Sequence, residues 1–307
     1  MADPTLAIET AGLTKHYGRQ RAVEGLDLRV PRGAVCGFLG RNGAGKTTTI
    51  GMLVGLLRPT AGDAWLLGHE VRRDLRPALE QAGVLLEEPA FYPYLSGREN
   101  LWVVAQALGG QAPRRIDEAL EVAGLAERAG DRFAAYSTGM KQRLGIAAAL
   151  LTEPDLVILD EPTNGLDPGG IREVRDLIRD LAVKHGKTVF LSSHQLNEVE
   201  QVCDRVAIIH KGELIREGSV IDLVSERAQY SIRATPLDRA RAVIEQHWAV
   251  ATRADPVLLV DAADGDIPTI VQKLVENQVQ VFEVSPHRLT LEEFYLSVTR
   301  QDNPDVD

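Results

Sequence analysis

The chain has 307 residues, which is enough for one large domain and a smaller one. Hydrophobic residues make up 44%, an ordinary share for a globular protein, so a core of normal size is available. Lysine and arginine number 34 against 44 aspartates and glutamates, a formal net charge of -10. This balance argues against a protein that coats nucleic acid, which would carry a basic stripe.

The two cysteines, Cys36 and Cys203, lie far apart, and no CxxC pair or histidine cluster at metal spacing accompanies them. We expect two reduced thiols packed as small hydrophobic side chains, as in a reducing cytosol. The N-terminus has neither a basic start nor an apolar run, so no signal peptide is expected. Apolar runs such as 50–57 and 144–151 are far shorter than the roughly 20 residues of a membrane-spanning helix. Other subunits would have to do any spanning.

Residues 1–222 predict alternating strands and helices. In chain order, we expect antiparallel strands at 6–17 and 23–30, a buried parallel strand at 34–39, a helix at 45–57, a strand at 63–67, a mostly helical stretch at 96–151, a buried strand at 156–159, a helix at 170–185, a strand at 188–191, a short helix at 197–203 and a hairpin over 205–217.

Beyond residue 222 the pattern restarts as a smaller unit. In chain order, we expect a strand at 229–234, a helix at 237–248, a strand at 257–261, a helix at 267–278, a strand at 280–284 and a helix at 291–298. The pattern predicts a small α+β accessory domain over 223–307, which ends in a polar tail.

A glycine-rich segment joins the strand at 34–39 to the helix at 45–57. It matches the pattern GxxxxGK[ST] in the strand–turn–helix context that gives this pattern meaning, and its residues are Gly40, Arg41, Asn42, Gly43, Ala44, Gly45, Lys46 and Thr47. Glycines let successive N–H groups turn toward phosphate oxygens, and the helix N-terminus adds about half a positive charge. We expect Lys46 to reach the β- and γ-phosphates, Thr47 to bind Mg²⁺ and Thr48 to lie near the α-phosphate.

The strand at 156–159 ends in two acids, Asp160 and Glu161. Carboxylates at the end of a buried strand are costly unless something compensates their charge, and Mg²⁺ would do so. We therefore predict that Asp160 holds Mg²⁺ through water and that Glu161 orients and deprotonates the attacking water. By itself the pair is also compatible with a solvated strand end or with helix-capping acids.

Residues 136–143 read Tyr-Ser-Thr-Gly-Met-Lys-Gln-Arg and open a predicted helix shortly before the acidic strand. This segment resembles the signature motif of ABC cassettes. The resemblance implies that Ser137 and Gly139 meet the γ-phosphate of ATP held by a second subunit, with the helix N-terminus as a second anion site. Taken alone, Ser137 is also typical of a plain N-cap residue.

Three further pieces agree with this family. Tyr17 stands where its members stack an aromatic ring on adenine, although a core residue would also fit there. Residues 164–167 resemble the D-loop that crosses the dimer interface, which implies that Asp167 lies near nucleotide. His194 matches the switch histidine that contacts the γ-phosphate, and with Glu161 and Lys46 it completes the expected catalytic set.

The resemblance covers about residues 5–222 and implies an α/β fold, the P-loop NTPase ABC cassette. Such a cassette has a mixed, mainly parallel sheet core, an antiparallel N-terminal β-subdomain and a helical subdomain, here at about 88–151. In the family, ATP and Mg²⁺ bind between two cassettes, identical or different. The same resemblance implies separate transmembrane permease subunits, a peripheral location on the cytoplasmic face of the membrane and no nucleic-acid partner.

Two positions depart from the family's general pattern. Glu87 stands where a Q-loop glutamine normally contacts Mg²⁺, and we expect it to reach the metal because carboxylate oxygens are strong Mg²⁺ ligands. The signature has Thr138 and Met140 in place of glycine and glutamine. This version, together with the C-terminal extension, resembles drug- and antibiotic-resistance exporter ATPases.

An aromatic-rich segment at 88–102 lies where the family receives a short helix of the permease, and a local core is an equally good interpretation.

Two other function classes stay open. A soluble ABC ATPase acting on ribosomes or DNA is disfavoured by the single cassette, the lack of heptads and the acidic charge. A nucleotide-binding regulator without turnover is disfavoured by Glu161 and His194.

Overall fold

The computed structural model describes residues 3–86, 89–109, 112–225, 229–254, 257–287 and 290–299. The chain divides into two compact units, a large one over residues 1–219 and a small one over 220–307. Each is described by itself.

The large unit alternates strands and helices. Its strands are β1 (Leu6–Tyr17), β2 (Gln20–Leu26), β3 (Arg29–Pro31), β4 (Val35–Leu39), β5 (Ala61–Leu66), β6 (His69–Glu70), β7 (Ala82–Leu85), β8 (Leu156–Leu159), β9 (Thr188–Ser193), β10 (Arg205–His210) and β11 (Glu213–Ser219). Its helices are α1 (Lys46–Leu53), α2 (Leu75–Glu80), α3 (Gly97–Leu108), α4 (Ile116–Val122), α5 (Thr138–Leu150), α6 (Pro168–Val183) and α7 (Leu196–Val202).

The central sheet has the strand order β11-β10-β4-β9-β8-β7 and is parallel except for the antiparallel edge strand β11. Every residue of β4, β8 and β9 is buried, as expected for parallel strands covered on both faces. The carboxyl ends of these three adjacent strands meet at one edge of the sheet, which is where open α/β folds bind ligands. The predicted α/β cassette architecture is confirmed.

The predicted single strand at 23–30 is wrong. Two strands, β2 and β3, occupy this region, and both pair with β1 in an antiparallel subdomain that also holds β5 and β6. The break falls opposite Thr10, whose buried hydroxyl donates to the carbonyl of Leu26 and accepts from the N–H of Leu28. One side chain therefore takes the place of ladder hydrogen bonds where β1 passes from one partner to the next.

Helix α1 ends four residues earlier than its apolar pattern indicates. Gly55 adopts a φ of +74°, a left-handed conformation that stops a helix at little steric cost to glycine. The N–H of Leu57 then returns to the carbonyl of Gly51 at 2.9 Å. Helix α2 and strand β7, which the sequence analysis did not predict, lie beyond this turn.

The small unit is built on a β-α-β-β-α-β order. Its elements are α8 (Val220–Ser225), β12 (Gln229–Thr235), α9 (Leu237–Ile244), β13 (Val250–Ala254), β14 (Val257–Asp261), α10 (Ile267–Glu276), β15 (Gln280–His287) and α11 (Leu291–Thr299). The strands pair antiparallel in the order β13-β14-β12-β15, the ferredoxin-like arrangement. Ile232 and Leu258 pack in its core with Ile270 and Leu274 of α10. The predicted α+β character is confirmed, and β13 is an additional strand.

Both cysteines are buried and free, which confirms their interpretation as packed thiols. Burial raises the pKa of Cys36 to about 12 and the pKa of Cys203 well above its ordinary value. Within the described ranges of the chain, no helix is both long and apolar enough to cross a bilayer.

Candidate functional site

The loop between β4 and α1 is held in a conformation that only glycine adopts easily. Gly43 has a φ of +81° and Gly45 a φ of +110°. A Cβ at Gly45 would lie 2.5 Å from the carbonyl oxygen of Ala22, and one at Gly40 would lie 2.6 Å from that of Ile209. The backbone of the loop therefore packs directly against strands β2 and β10, which leaves no room for side chains at these points.

Lys46, the first residue of α1, is a buried cation with three nearby oxygens, two of them the loop carbonyls of Gly40 and Arg41. Its side chain is 5% exposed, and its ammonium donates to the carbonyl of Gly40 at 2.7 Å. The same nitrogen lies 3.1 Å from Oε1 of Glu161, at the end of β8. Because a buried charge is stable only when it is paired, these contacts fix the ammonium at the mouth of the loop.

Glu161 joins Lys46 to His194. Its second carboxylate oxygen, Oε2, lies 2.8 Å from Nδ1 of His194, the first residue beyond β9. The backbone of Glu161 has a φ of +49°, an unusual conformation for a residue with a side chain. The three side chains that the sequence analysis assigned to catalysis thus form one chain of contacts, although they are far apart in sequence.

Asp160 has a different partner. Only 3% of the residue is exposed, and its Oδ1 accepts a hydrogen bond from the hydroxyl of Ser192. The same hydroxyl accepts from the N–H of Glu161 at 2.9 Å. Sequence reasoning missed Ser192. The only available signal was a pair of serines directly before His194.

An open cavity of about 630 Å³ lies over the phosphate loop. It collects nine of the predicted site residues, namely Tyr17, Asn42, Gly43, Gly45, Lys46, Thr47, Thr48, Glu161 and His194. Four further lining residues, Gln20, Arg21, Ala22 and Asn164, were not predicted as site residues. Three of the four belong to β2, which follows Tyr17 after a tight turn, so their place beside the cavity depends on the β1–β2 pairing.

Tyr17 forms one wall of this cavity. Its side chain is 48% exposed, so the alternative interpretation as a core residue is not supported. The ammonium of Lys15 lies 5.0 Å from the centre of the Tyr17 ring, within the range of a cation–π contact. The same ammonium donates to the carbonyl of Arg58 at 2.7 Å, which limits the positions the ring can take.

The remaining predicted residues lie elsewhere. Gly40, Arg41, Ala44 and Asp160 are not among the residues that line the cavity, although they adjoin those that do. Glu87, the predicted Q-loop ligand, lies outside the described residues. Among the residues that the structure describes, no group of three His, Cys, Asp or Glu side chains is placed to hold a metal ion by itself.

Ser137, Gly139 and Asp167 form a second cluster outside the cavity. Ser137 caps α5 by accepting from the N–H of Met140 at 3.2 Å, and Asp167 caps α6 by accepting from that of Gly170 at 3.3 Å. A Cβ at Gly139 would lie 3.2 Å from the Cα of Gly170, so the two helix starts touch. Both helix N-termini therefore stand side by side, with Ser137 and Asp167 exposed.

Comparison with known proteins decides the family. Residues 23–164 match the model of the ABC transporter family. Over 295 residues the chain is 41% identical to the bacitracin transport ATP-binding protein BcrA of Bacillus licheniformis, covering 95% of this chain and 96% of that protein. The chain belongs to the ABC transporter ATP-binding proteins. It is therefore an ABC ATPase.

Two further similar proteins cover different shares of this ABC ATPase. The daunorubicin resistance ATP-binding protein DrrA3 of Streptomyces coeruleorubidus is 38% identical over 316 residues, covering 98% of each chain. The solved structure of cbiO1 from Clostridium perfringens, part of the ABC transporter complex cbiONQ, has a TM-score of 0.66 at 27% identity and covers 72% of this chain and 92% of that one. The likeness to drug-resistance ATPases therefore extends through the small unit.

Proposed function

We propose that this ABC ATPase is the motor of an exporter, in which two cassettes enclose ATP head to tail and move separate membrane permease subunits. The observation that carries the proposal is the contact chain Lys46–Glu161–His194 at the mouth of the cavity. It brings a phosphate-binding cation, a carboxylate base and a histidine together where the γ-phosphate of ATP would lie.

The cavity suits a nucleoside triphosphate. The adenine would stack on the exposed ring of Tyr17, because aromatic faces bind bases by stacking. The phosphates would lie on the loop, where backbone N–H groups and the N-terminus of α1 attract anions. Lys46 would then exchange part of its contact with Glu161 for phosphate oxygens.

The oxygen donors beside the cavity fit Mg²⁺. Asp160 is a buried carboxylate for which no cationic side chain lies within ion-pair distance among the described residues, and Thr47, which carries a hydroxyl, lines the cavity. Mg²⁺ is usually held by one or two carboxylates together with substrate phosphates, so it does not require a group of three ligand side chains, which the described part of the chain lacks. We propose Thr47 and Asp160 as its protein ligands, with Glu87 as a further one. When bound, the ion would neutralise charge on the phosphates.

Hydrolysis would depend on Glu161 as general base. Lys46 and His194 hold its two carboxylate oxygens in different directions, so the carboxylate is oriented before a substrate arrives. His194 would hold the γ-phosphate, and Glu161 would take a proton from the attacking water. General-base catalysis of this kind contributes about 10²–10⁴-fold to the rate.

The second cluster supports the two-cassette arrangement. Ser137 and Gly139 are not among the residues that line the cavity of their own chain, yet they sit at a helix N-terminus suited to an anion. A second copy, turned head to tail, would bring this N-terminus onto the γ-phosphate. Asp167, at the adjoining start of α6, would lie in the same interface. ATP would then join two incomplete half-sites.

An exposed aromatic patch supports a permease partner. Tyr92, Tyr94 and Trp102 are 50%, 65% and 55% exposed, and aromatic residues are enriched at protein interfaces. The turn that carries the first two is fixed by Asn100, which accepts from the N–H of Tyr92 at 2.8 Å and donates to its carbonyl at 3.1 Å. A rigid patch of this kind suits a short helix of a permease, which would place the ATPase on the cytoplasmic face of a membrane.

The direction of transport rests on the relatives. One is named for bacitracin transport and another for daunorubicin resistance. Resistance by a transporter requires removal of the compound from the cell, so we propose export of a drug-like molecule.

The decisive experiment is Glu161→Gln. We expect phosphate release to fall by about 10²–10⁴-fold while ATP binding persists and an ATP-dependent dimer accumulates on size exclusion. Ser137→Ala, added to Glu161→Gln, should prevent that dimer. Glu121→Gln, an exposed carboxylate on α4, serves as the matched control. An active Glu161→Gln enzyme, or one that stays monomeric in ATP, would overturn the proposal.

The permease is tested by affinity purification from detergent-solubilised membranes of the native host. We expect a multi-span membrane protein to copurify with the wild-type chain and to be reduced for the Tyr94→Ala, Trp102→Ala double variant. Val183→Ala on α6, which changes an apolar residue that is 84% exposed, is the control. Equal recovery with all three chains would exclude the aromatic patch as the docking surface.

A further inference from the structure

Ser192 lies in the interior of the central sheet of the large unit. It is the fifth residue of β9, between β4 on one side and β8 on the other, and it pairs in register with Phe38 of β4. None of its surface is exposed. A hydroxyl in such a place must find its hydrogen-bond partners within the protein, because water does not reach it.

The two partners of this hydroxyl are both functional groups of the ATP site. Its single proton is donated to Oδ1 of Asp160, and its oxygen accepts from the N–H of Glu161 at 2.9 Å. The proposed Mg²⁺ ligand and the proposed general base are adjacent in sequence, and their side chains have different partners. One side chain from the neighbouring strand therefore holds the carboxylate of the first and the backbone of the second.

The contact with Glu161 has a conformational consequence. Its φ of +49° lies in the left-handed region, which residues with a side chain occupy only when their surroundings fix them there. The bond from its N–H to Ser192 is such a constraint at the point where the chain leaves β8. From this backbone turn the Glu161 side chain contacts Lys46 and His194, whereas the Asp160 carboxylate accepts from Ser192.

Neighbouring hydroxyls on the same strand show what a merely structural role looks like. Ser193 accepts from the N–H of Gln195 at 2.9 Å, and Thr188, at the other end of β9, accepts from that of Gly33 at 2.9 Å. Both are buried, and each satisfies one backbone group. Among the described contacts of these three hydroxyls, the bond from Ser192 to Asp160 is the one that involves a carboxylate.

We infer that Ser192 is a positioning residue. Its hydroxyl orients the Asp160 carboxylate for binding Mg²⁺ and fixes the Glu161 backbone so that the Glu161 side chain can activate water. The inference rests on the metal and base roles proposed above. Groups that orient a metal ligand by hydrogen bonding to it, without contacting the metal, typically contribute 10- to 100-fold to metal affinity or activity. The hydroxyl acts through its two partners and touches neither nucleotide nor metal itself.

The first test measures Mg²⁺ without turnover. A slowly hydrolysed fluorescent ATP analogue is bound to each variant and titrated with MgCl₂. For Ser192→Ala we expect the Mg²⁺ concentration at half effect to rise by roughly 10- to 100-fold. Ser192→Cys, of similar volume but with a weak donor, should behave in the same way, and Ser192→Thr, which keeps the hydroxyl, should stay near wild type. Thr188→Val, which removes a buried hydroxyl from the same strand, should leave the value unchanged.

The second test measures steady-state hydrolysis at saturating Mg²⁺. We expect kcat of Ser192→Ala to fall by about tenfold or more with little change in KM for ATP, because the nucleotide contacts are intact. Thermal midpoints of Ser192→Ala and Thr188→Val should fall by similar amounts, so a loss of fold would not explain the difference in kcat.

The outcomes separate this inference from the proposed function. If Ser192→Ala matches Thr188→Val in Mg²⁺ dependence and kcat, the positioning role is wrong. The proposed metal site would still be supported in that case if Asp160→Asn loses the Mg²⁺ response. If Asp160→Asn keeps the full Mg²⁺ response, the metal role itself is wrong and the inference falls with it. Should Ser192→Thr unfold, the equal loss in the folded Ala and Cys variants still supports the role of the hydroxyl.

Discussion

The ammonium of Lys46 and the carboxylate of Glu161 are 3.1 Å apart, with side chains 5% and 21% exposed. One residue opens α1 and the other lies two residues beyond the end of β8, so the pair joins the phosphate loop to the segment that follows this strand. Its two charges neutralise each other in a place that water reaches poorly. An entering γ-phosphate would compete with Glu161 for the same cation, which would free the carboxylate for its role as base.

Lys46→Met should weaken ATP binding by about 10- to 100-fold. A hydrogen bond to a charged group contributes roughly 1.5–3 kcal/mol, and methionine keeps the volume of the side chain while losing the charge. The measurement is a titration with a fluorescent ATP analogue. Lys184→Met, which removes an exposed lysine paired with Asp180, is the control and should bind normally. Unchanged affinity in Lys46→Met would contradict the assignment.

Tyr17→Ala should weaken ATP binding, and Tyr17→Phe should leave it nearly unchanged. Base stacking contributes about 1–3 kcal/mol per base on substitution by alanine, and the ring without its hydroxyl still stacks. Competition by inorganic tripolyphosphate distinguishes base binding from phosphate binding. Tripolyphosphate has no base, so its affinity for the protein should not depend on Tyr17. An equal loss of tripolyphosphate binding would show that the ring supports the loop and does not contact the base.

Gly45→Ala should abolish most ATP binding and lower the thermal midpoint. The new Cβ would lie 2.5 Å from the carbonyl oxygen of Ala22, and the φ of +110° is strained for alanine, at a cost of about 1–3 kcal/mol. Gly43→Ala has open space at the Cβ but a φ of +81°, so a smaller loss is expected. Gly265→Ala, in open space with no positive φ, should match wild type. Equal effects at Gly43 and Gly45 would show that the clash is relieved by backbone movement.

Glu217→Gln should raise the thermal midpoint at pH 7 and leave it unchanged near pH 4. Burial raises the pKa of the Glu217 carboxyl, and the hydrogen bond from the N–H of Arg29 offsets this only in part. A carboxyl whose folded pKa is raised stabilises the fold when protonated and loses that stability as the pH rises through the folded value. Glutamine keeps an acceptor and stays neutral, so its advantage appears only at the higher pH.

Melting curves at several pH values check this prediction. Glu213→Gln changes an exposed carboxylate on the same strand and should shift the midpoint little at any pH. A pH-independent gain for Glu217→Gln would point to packing and would exclude the ionisation as its cause.

Local patterns were enough to predict the segments that carry much of the candidate site. The phosphate loop is a continuous segment between one strand and one helix, and the acids follow directly after a strand, so spacing alone located Lys46, Asp160 and Glu161. The break between β2 and β3 was not predictable in this way. It depends on the hydroxyl of Thr10, which belongs to another strand and reaches the gap only when the sheet has formed.

The amino-acid pattern alone was enough to predict the glycine-rich loop between a strand and a helix and the acids that follow a buried strand, because these features depend on neighbours within a few positions. The folded sheet was needed to show that Glu161 contacts His194, 33 residues further along, and that the Ser192 hydroxyl bonds to both acids. These contacts follow from the parallel register of β4, β9 and β8. Strand order and register are set by packing across the whole sheet, and a local pattern of residue types does not contain them.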